Sequence, residues 1–414
     1  MKRISVRFWL LILGAIATLI PLATSAVAQA TVVVGTGNPD IDVPVVQAAL
    51  DQGGEVILKG HFSFERAPRI PTAWPGLPLA TTLISKAVVI SGTREDEGDL
   101  TTIEGGTIPF YVDAQGVPVT FQRLRFIRPI QSAIFAYAVS GLTIASSKIE
   151  GIVPPANTPS SGIWIGMFAV PMPGNPGHPE NISGMLSIVN NYIDVAGGKR
   201  GIDNTLGITV FSAGVPGAEV EAHVSGNNIS NSTEPAINFR RIVGRADIEG
   251  NVITTGPVFG SASRNMVIRV ANLGSYLIVH NSIDCGWAKE AAGIGVFSQI
   301  PAWPMEHAIV VDNSLTMSPP EGTVLGAGSA GILMDGNART NVVLNNRIRG
   351  RATAGITLAV TSGGIPDSNA LVLNHFDDFQ PSVADIFVGN GVTNTRILGP
   401  GTVEDPGVGS VIVP

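Results

Sequence analysis

Two short patterns alternate along most of the chain. The first is Asn-x-apolar. It occurs at Asn191-Tyr192-Ile193, Asn227-Asn228-Ile229, Asn251-Val252-Ile253, Asn281-Ser282-Ile283, Asn313-Ser314-Leu315, Asn346-Arg347-Ile348 and Asn374-His375-Phe376, with Ser147-Lys148-Ile149 as a variant first copy. The second is a small or polar residue followed by apolar-x-apolar, as in Gly162-Ile163-Trp164-Ile165, Gly207-Ile208-Thr209-Val210, Ala236-Ile237-Asn238-Phe239 and Val267-Ile268-Arg269-Val270. It continues through Gly293-Ile294-Gly295-Val296, Gly331-Ile332-Leu333-Met334, Gly355-Ile356-Thr357-Leu358 and Asp385-Ile386-Phe387-Val388. The shortest step from the first pattern to the second is 8 residues (229 to 237, 348 to 356), and the shortest step back is 15 (268 to 283). The minimal repeat is therefore about 24 residues, with longer copies stretched between the same elements.

Short strand-like pieces with alternate apolar positions, repeated at this spacing, describe a solenoid whose coils bury one side of every strand. Apolar residues at one coil position then stack ~4.8 Å apart. The recurring Asn fits a coil corner, because Asn tolerates left-handed backbone and its amide can bond to the Asn amide of the next coil. Less regular coils precede these, at Ala87-Val88-Val89-Ile90-Ser91-Gly92, Thr101-Thr102-Ile103-Glu104-Gly105-Gly106 and Val119 to Phe126. Asp42 to Leu50 has helical spacing through Val46, Ala49 and Leu50, with Gly53-Gly54 as a stop. That helix is the expected cap over the open end of the core.

VQAALDQGGEVILKGHFSF, followed by AVVISG, LTTIEGG and the Asn-x-Ile coils, resembles the right-handed parallel β-helix superfamily that includes pectate lyases, and in particular its exported repeat proteins of unassigned activity. The resemblance spans roughly residues 43 to 400. It implies an all-β, right-handed, single-stranded parallel β-helix of about ten coils with an N-terminal capping helix. It also implies three short parallel sheets per coil and carbohydrate in a loop-walled groove along one sheet face. The expected organisation is a leader over 1–30 and one domain over 31–414, with the cap at about 40–55 and regular coils over about 85–400.

Composition supports this class. Charged residues make up 14% and aromatics 6%, with 49 Gly, a balance that points to turns and strands rather than helical bundles. Lys2, Arg3 and Arg7, the apolar run Phe8 to Ile20 and an A-x-A site at Ala26 or Ala28 read as a secretory leader. A secreted or periplasmic protein with no membrane span after cleavage is expected. Without the three leader cations, 22 Lys and Arg face 32 acids, a net charge of −10, which argues against nucleic acid or anionic membrane as a partner. Cys285 alone cannot form an intrachain disulfide.

Candidate chemistry comes from aligning coils. The outward residues of the second strands are Trp164, Thr209, Asn238, Arg269, Gly295, Leu333, Thr357 and Phe387, with Arg240 and Arg241 just beyond one strand, Asp335 beyond another and Asp203 in a loop before Ile208. Arg240, Arg241 and Arg269 with Asp203 or Asp335 could hold a uronate carboxylate and supply a base to a lyase. Ordinary surface ion pairing explains the same residues. Trp164 and Asn238 are candidate binding residues on that face. His280 and Asp312, each preceding a column Asn, should stack as a pair, either a proton relay or a turn cap. His307, near Trp303, is an isolated further candidate.

Asp377-Asp378 lacks the Gly-His-Gly that accompanies the aspartate pair of polygalacturonases. Asp385-Ile386-Phe387-Val388-Gly389 only echoes the pectin methylesterase stretch. No calcium-type acidic loop or zinc spacing occurs, so neither metal nor cofactor is expected. The expected function is an exported carbohydrate-interacting protein, as a lyase or hydrolase of acidic polysaccharide. The alternative is a non-catalytic surface or envelope scaffold used for adhesion.

Overall fold

The structure is a computed structural model that describes residues 30–414 except 66–69, 73–78, 94–99, 154–158, 168–177, 196–204, 257–264, 287–290, 299, 301 and 361–362. The expected leader, through residue 29, lies outside the described residues. The strands form one 34-stranded array plus a small 2-stranded ladder. Each strand pairs in parallel with the equivalent strand one coil away, so the chain winds as a parallel β-helix. Its hand is the right-handed one that parallel crossovers adopt.

Three sheets run along the axis. Sheet I contains the strands that follow the column Asn, such as Tyr192–Asp194, Asn228–Ser232, Val252–Thr255 and Ser282–Cys285. Sheet II contains the second pattern, including Thr205–Ala213, Ile237–Ile242, Met266–Ala271, Ala292–Ser298 and Ala330–Gly336. Sheet III, from Ile182–Val189 through Val220–Ser225, Gly244–Glu249 and Ser275–Val279 to Val411–Val413, occupies the interval that the two sequence patterns leave blank. Its strands carry no shared residue type, only alternate apolar positions such as Ala222/Val224, Ala246/Ile248 and Tyr276/Ile278.

The inward positions stack as the spacing predicts. Ile193, Ile229, Ile253 and Ile283 are consecutive register partners in sheet I, and Ile208, Ile237, Ile268 and Ile294 in sheet II. All are at most 2% exposed, and each contributes ~1.5–3 kcal/mol of burial. Cys285 is a buried thiol beside this column.

The Asn column forms along the corner between sheets III and I. Asn191 Nδ2 donates to Asn227 Oδ1 (3.0 Å), and the chain of amides continues through Asn251, Asn281, Asn313 and Asn346 to Asn374. The second amide hydrogen is also used, as in Asn251 to the Val224 carbonyl (2.9 Å). Every Oδ1 from Asn227 onward also accepts the backbone N–H of the preceding column member. The left-handed turn falls one residue earlier than expected. Asn190, Gly226, Gly250, His280, Asp312, Asn345 and Leu373 hold φ between 48° and 62°, which frees the ladder residue to point inward.

The cap is α1 (Pro39–Gln52), started by Asn38, whose side chain accepts from Asp40 N, and ended at Gly53 with φ 74°. Val43, Val46, Ala49 and Leu50 close the core end. Buried Asp42 accepts from Thr36 N, Thr36 Oγ1 and Ser63 N, which ties the helix to the first coils. Regular pairing starts well before residue 85: Thr31–Val34 pairs with Gly54–Lys59, ahead of and behind the helix. No described helix is long and apolar enough to cross a membrane.

Candidate functional site

The outer face of sheet II carries the aligned column expected from the sequence. Phe135, Trp164, Thr209, Asn238, Arg269, Gly295, Leu333, Thr357 and Phe387 are consecutive register partners. Two residues further along each strand a second outward column runs Phe211, Arg240, Ala271, Phe297, Asp335 and Ala359. The face is covered: Trp164, Thr209, Asn238 and Leu333 are at most 3% exposed and Arg269 is 8% exposed. It therefore behaves as an outer packing layer rather than an open ledge.

That layer is apolar at both ends and polar in the middle. On the N-terminal side Tyr111, Phe135, Trp164 and Phe211 pack in sequence, with ring centroids 5.7, 5.8 and 5.5 Å apart. Trp164 Nε1 donates to the Gly166 carbonyl at 3.1 Å, so both its ring and its polar atom are spent on packing. On the C-terminal side Met266, Phe297 and Leu333 form a second cluster. Met266 lies over Gly295, where a Cβ would come within 2.1 Å of its sulfur. Thr209, Asn238, Arg240 and Arg269 fill the gap between the clusters.

The two arginines sit like brackets in this gap. Arg240 Cζ is 5.6 Å from the Phe211 ring centroid and Arg269 Cζ is 6.0 Å from that of Phe297. Arg269 Nη2 donates to Asn265 Oδ1 at 3.4 Å, while Arg269 Nε and Asn238 Oδ1 are buried without a hydrogen-bond partner. Burial and the neighbouring charge of Arg269 pull Arg240 down to about 9. Burial lowers Arg269 as well, and Glu234 partly offsets both. Among the described residues Arg269 forms no ion pair. A desolvated cation with a spare N–H beside a spare amide oxygen is costly unless a ligand completes it.

The remaining candidates are distributed elsewhere. Asp203 lies outside the described residues. Asp335 is 1% exposed and its Oδ1 accepts from Gly336 N at 2.7 Å. It aligns with Phe297 and not with either arginine. Arg241 takes a left-handed conformation (φ 56°) that turns it away from its neighbour Arg240 and onto Trp303, 4.6 Å from the ring centroid. Burial lowers its pKa, and the opposing charge of Glu180 raises it.

His280 and Asp312 do stack on consecutive corners, with Nε2 and Oδ2 3.7 Å apart, and His280 Nδ1 lies 3.8 Å from Glu249. Asp312 in turn accepts from Asn345 Nδ2 at 2.5 Å. All of this occurs on an exposed row of left-handed corner residues, which favours turn capping over proton relay. Among the described residues no three His, Cys, Asp or Glu side chains group as metal ligands would.

Phe211, Phe297 and Glu234 are the residues the sequence reading passed over. Phe211 and Phe297 stand two residues beyond the named outward column, and the strand period would have placed them there. Glu234 lies in a corner segment where no periodicity operates.

No family model matches the chain, and no curated protein matches it. Among solved structures it is similar to the A-module of mannuronan C-5 epimerase AlgE4 from Azotobacter vinelandii, at 13% identity and a TM-score of 0.41, covering 92% of this chain and 98% of that one. It is also similar to PfbA, a surface adhesin of Streptococcus pneumoniae, at 10% identity and a TM-score of 0.43, covering 91% of each chain. A third is DFA-IIIase from Arthrobacter chlorophenolicus A6 without its lid in complex with GF2, at 14% identity and a TM-score of 0.41, with 90% and 93% covered. At these values none of them decides what this chain does.

Proposed function

We propose that the chain is an exported carbohydrate-binding β-helix protein that holds the carboxylate of an acidic polysaccharide on the outer face of sheet II. One observation carries the reading. Arg269 Nε and Asn238 Oδ1, register partners on successive coils, are both buried and unsatisfied, with Arg240 alongside. Asn238 is 1% and Arg269 8% exposed, so the ligand enters only when the cover over this face moves aside; a uronate then offers the complementary pair, a carboxylate for the guanidinium and a ring hydroxyl for the amide oxygen. The acidic net charge makes a localised buried cation pair more telling than it would be in a basic protein.

Elimination chemistry needs a base as well as a carboxylate clamp. Among the described residues Glu234 is the carboxylate whose charge reaches Arg269, but it makes no hydrogen bond to it, and Asp335 is committed to Gly336 N. Binding is therefore the core of the reading, and depolymerisation is its extension. Export rests on the leader signature of residues 1–30.

The test is a microcalorimetric screen of the mature protein against uronate oligomers and matched neutral oligomers, run beside an ultraviolet assay for unsaturated products. Saturable binding of uronates that disappears in Arg269→Met supports the reading. Absorbance growth would add lyase activity, and binding without it would favour an adhesive scaffold. Equal affinity for neutral and acidic oligomers at this face would overturn it.

A further inference from the structure

We propose that a second ligand site lies away from the arginine face, over the corner between sheets II and III, and that it takes a single neutral sugar ring. The site follows from unequal corners on successive coils. Two corners are tight: only Val243 separates Ile237–Ile242 from Gly244–Glu249, and only 272–274 separate Met266–Ala271 from Ser275–Val279. The next corner is longer, running from the strand end at Ser298 to the restart at Ala308. The step between them leaves a pocket of about 250 Å³, floored by Val243 and Leu273, walled by Pro304 and rimmed by Ser275, Glu306 and His307.

Both floor and wall are held in place. Beneath the floor, buried Tyr276 donates its hydroxyl to the Leu273 carbonyl at 3.1 Å. Gly274, at φ 134°, has no room for a side chain, since a Cβ would fall 2.7 Å from Ile242 and 2.8 Å from the Tyr276 ring. In the wall, Ser298 Oγ lies 2.9 Å from the Ile300 carbonyl and 2.6 Å from that of Trp303. Met305–Glu306 pairs with Ala338–Arg339 in the separate 2-stranded ladder. Arg241 lies over Trp303 from the other side. An exposed loop fixed at this many points is preorganised.

Size and lining choose the ligand. The volume is below the roughly 300–1,000 Å³ of pockets for drug-sized molecules, which suits one ring. An apolar floor matches the C–H face of a pyranose, while a carboxylate, an imidazole and a hydroxyl at the rim match its hydroxyls. Among the described residues no lysine or arginine lines the pocket and Glu306 would repel a carboxylate, so the ring is neutral. The site is thus chemically opposite to the Arg240–Arg269 gap and does not depend on the reading of that gap.

The test is saturation-transfer NMR and calorimetry with methyl glucoside, galactoside and mannoside, and with methyl galacturonide as the acidic control. The proteins are the wild type, Ser275→Trp, Glu306→Gln and Arg269→Met, each checked for a native circular dichroism spectrum and a cooperative unfolding transition. The expected result is saturable binding of a neutral glycoside, weakened at least about tenfold by Ser275→Trp or Glu306→Gln and unchanged by Arg269→Met, a loss of about 1.4 kcal/mol. Should Ser275→Trp fail to fold, Glu306→Gln carries the test alone. Absence of neutral glycoside binding, or binding lost only in Arg269→Met, overturns the proposal and leaves the arginine-site reading to its own experiment.

Discussion

Asn238 and Arg269 face the same way from register-paired positions on successive coils, and each buries a polar atom that bonds to nothing. Other buried side-chain atoms, such as Gln131 Oε1 and Thr395 Oγ1, also lack a hydrogen bond, but here one of them belongs to a desolvated cation, which is the costlier case.

Arg269→Met should therefore stabilise the ligand-free protein. The substitution keeps a flexible chain against Phe297 and removes a desolvated charge, and the expected gain is about 1–3 kcal/mol. Urea midpoints of wild type and variant decide it. A lower midpoint would mean that the guanidinium is already satisfied in the native state.

Raising the pH should relieve Arg240. Its folded value of about 9 lies well below the ordinary arginine range, so above about pH 9 the folded state releases a proton that the unfolded state keeps. Stability then rises with pH through that window. Uronate affinity should fall over the same range as the cation is lost. Denaturant midpoints from about pH 8 to 10 for wild type and Arg240→Met isolate the effect, which the variant should lack.

At low pH the N-terminal coils should fail first around Glu104. Its carboxyl accepts from Arg128 and lies 3.0 Å from His61 Nε2. The Arg128 hydrogen bond leads in holding it below its ordinary value of 4.5. This contribution is complete above about pH 4.5 and is lost as pH falls through the lowered value. Arg128→Ala should shift the acid unfolding midpoint upward, and circular dichroism against pH reads the shift.

Asn281→Ala breaks the amide column at its centre. It strands the Asn313 backbone-facing chain above it and leaves Asn251 Nδ2 and Asn251 N without their acceptor. The expected loss is roughly 3 kcal/mol, since two buried donors go unsatisfied. Asn345→Gly, one residue from the column, exposed and at a left-handed φ of 53° that glycine adopts freely, should cost less than ~1 kcal/mol. Chemical denaturation of the pair distinguishes the roles.

The axial repeat was legible because two of its three strands carry marks that depend on local chemistry. Asn191 and its partners mark one corner, and Gly207 or Gly331 marks the approach to sheet II, where a Cβ would strike the next coil's backbone. Sheet III carries such marks only locally, at Gly244 and at the Asn341–Asn369 amide pair, so along most of its length only alternation betrays it. The outward column from Trp164 to Phe387 was likewise readable, because register follows once coils are aligned. Its burial was not, because strand period tells which side a residue faces and not what lies over it. Arg241 shows the limit most plainly. Adjacent to Arg240 in sequence, it is sent to the opposite side by one left-handed dihedral.

The amide column has a direction: each coil hands its amide hydrogen to the following one and its lone pairs to the preceding one, from Asn191 to Asn374. Any member can therefore be joined to any other without changing the bonding at the junction. Chain length is thereby quantised, since removing the segment Asn251–His280 would bring Asn227 onto Asn281 with the same donor and acceptor in place. Such a scaffold can grow or shrink by whole turns under selection for reach while its corner chemistry stays constant.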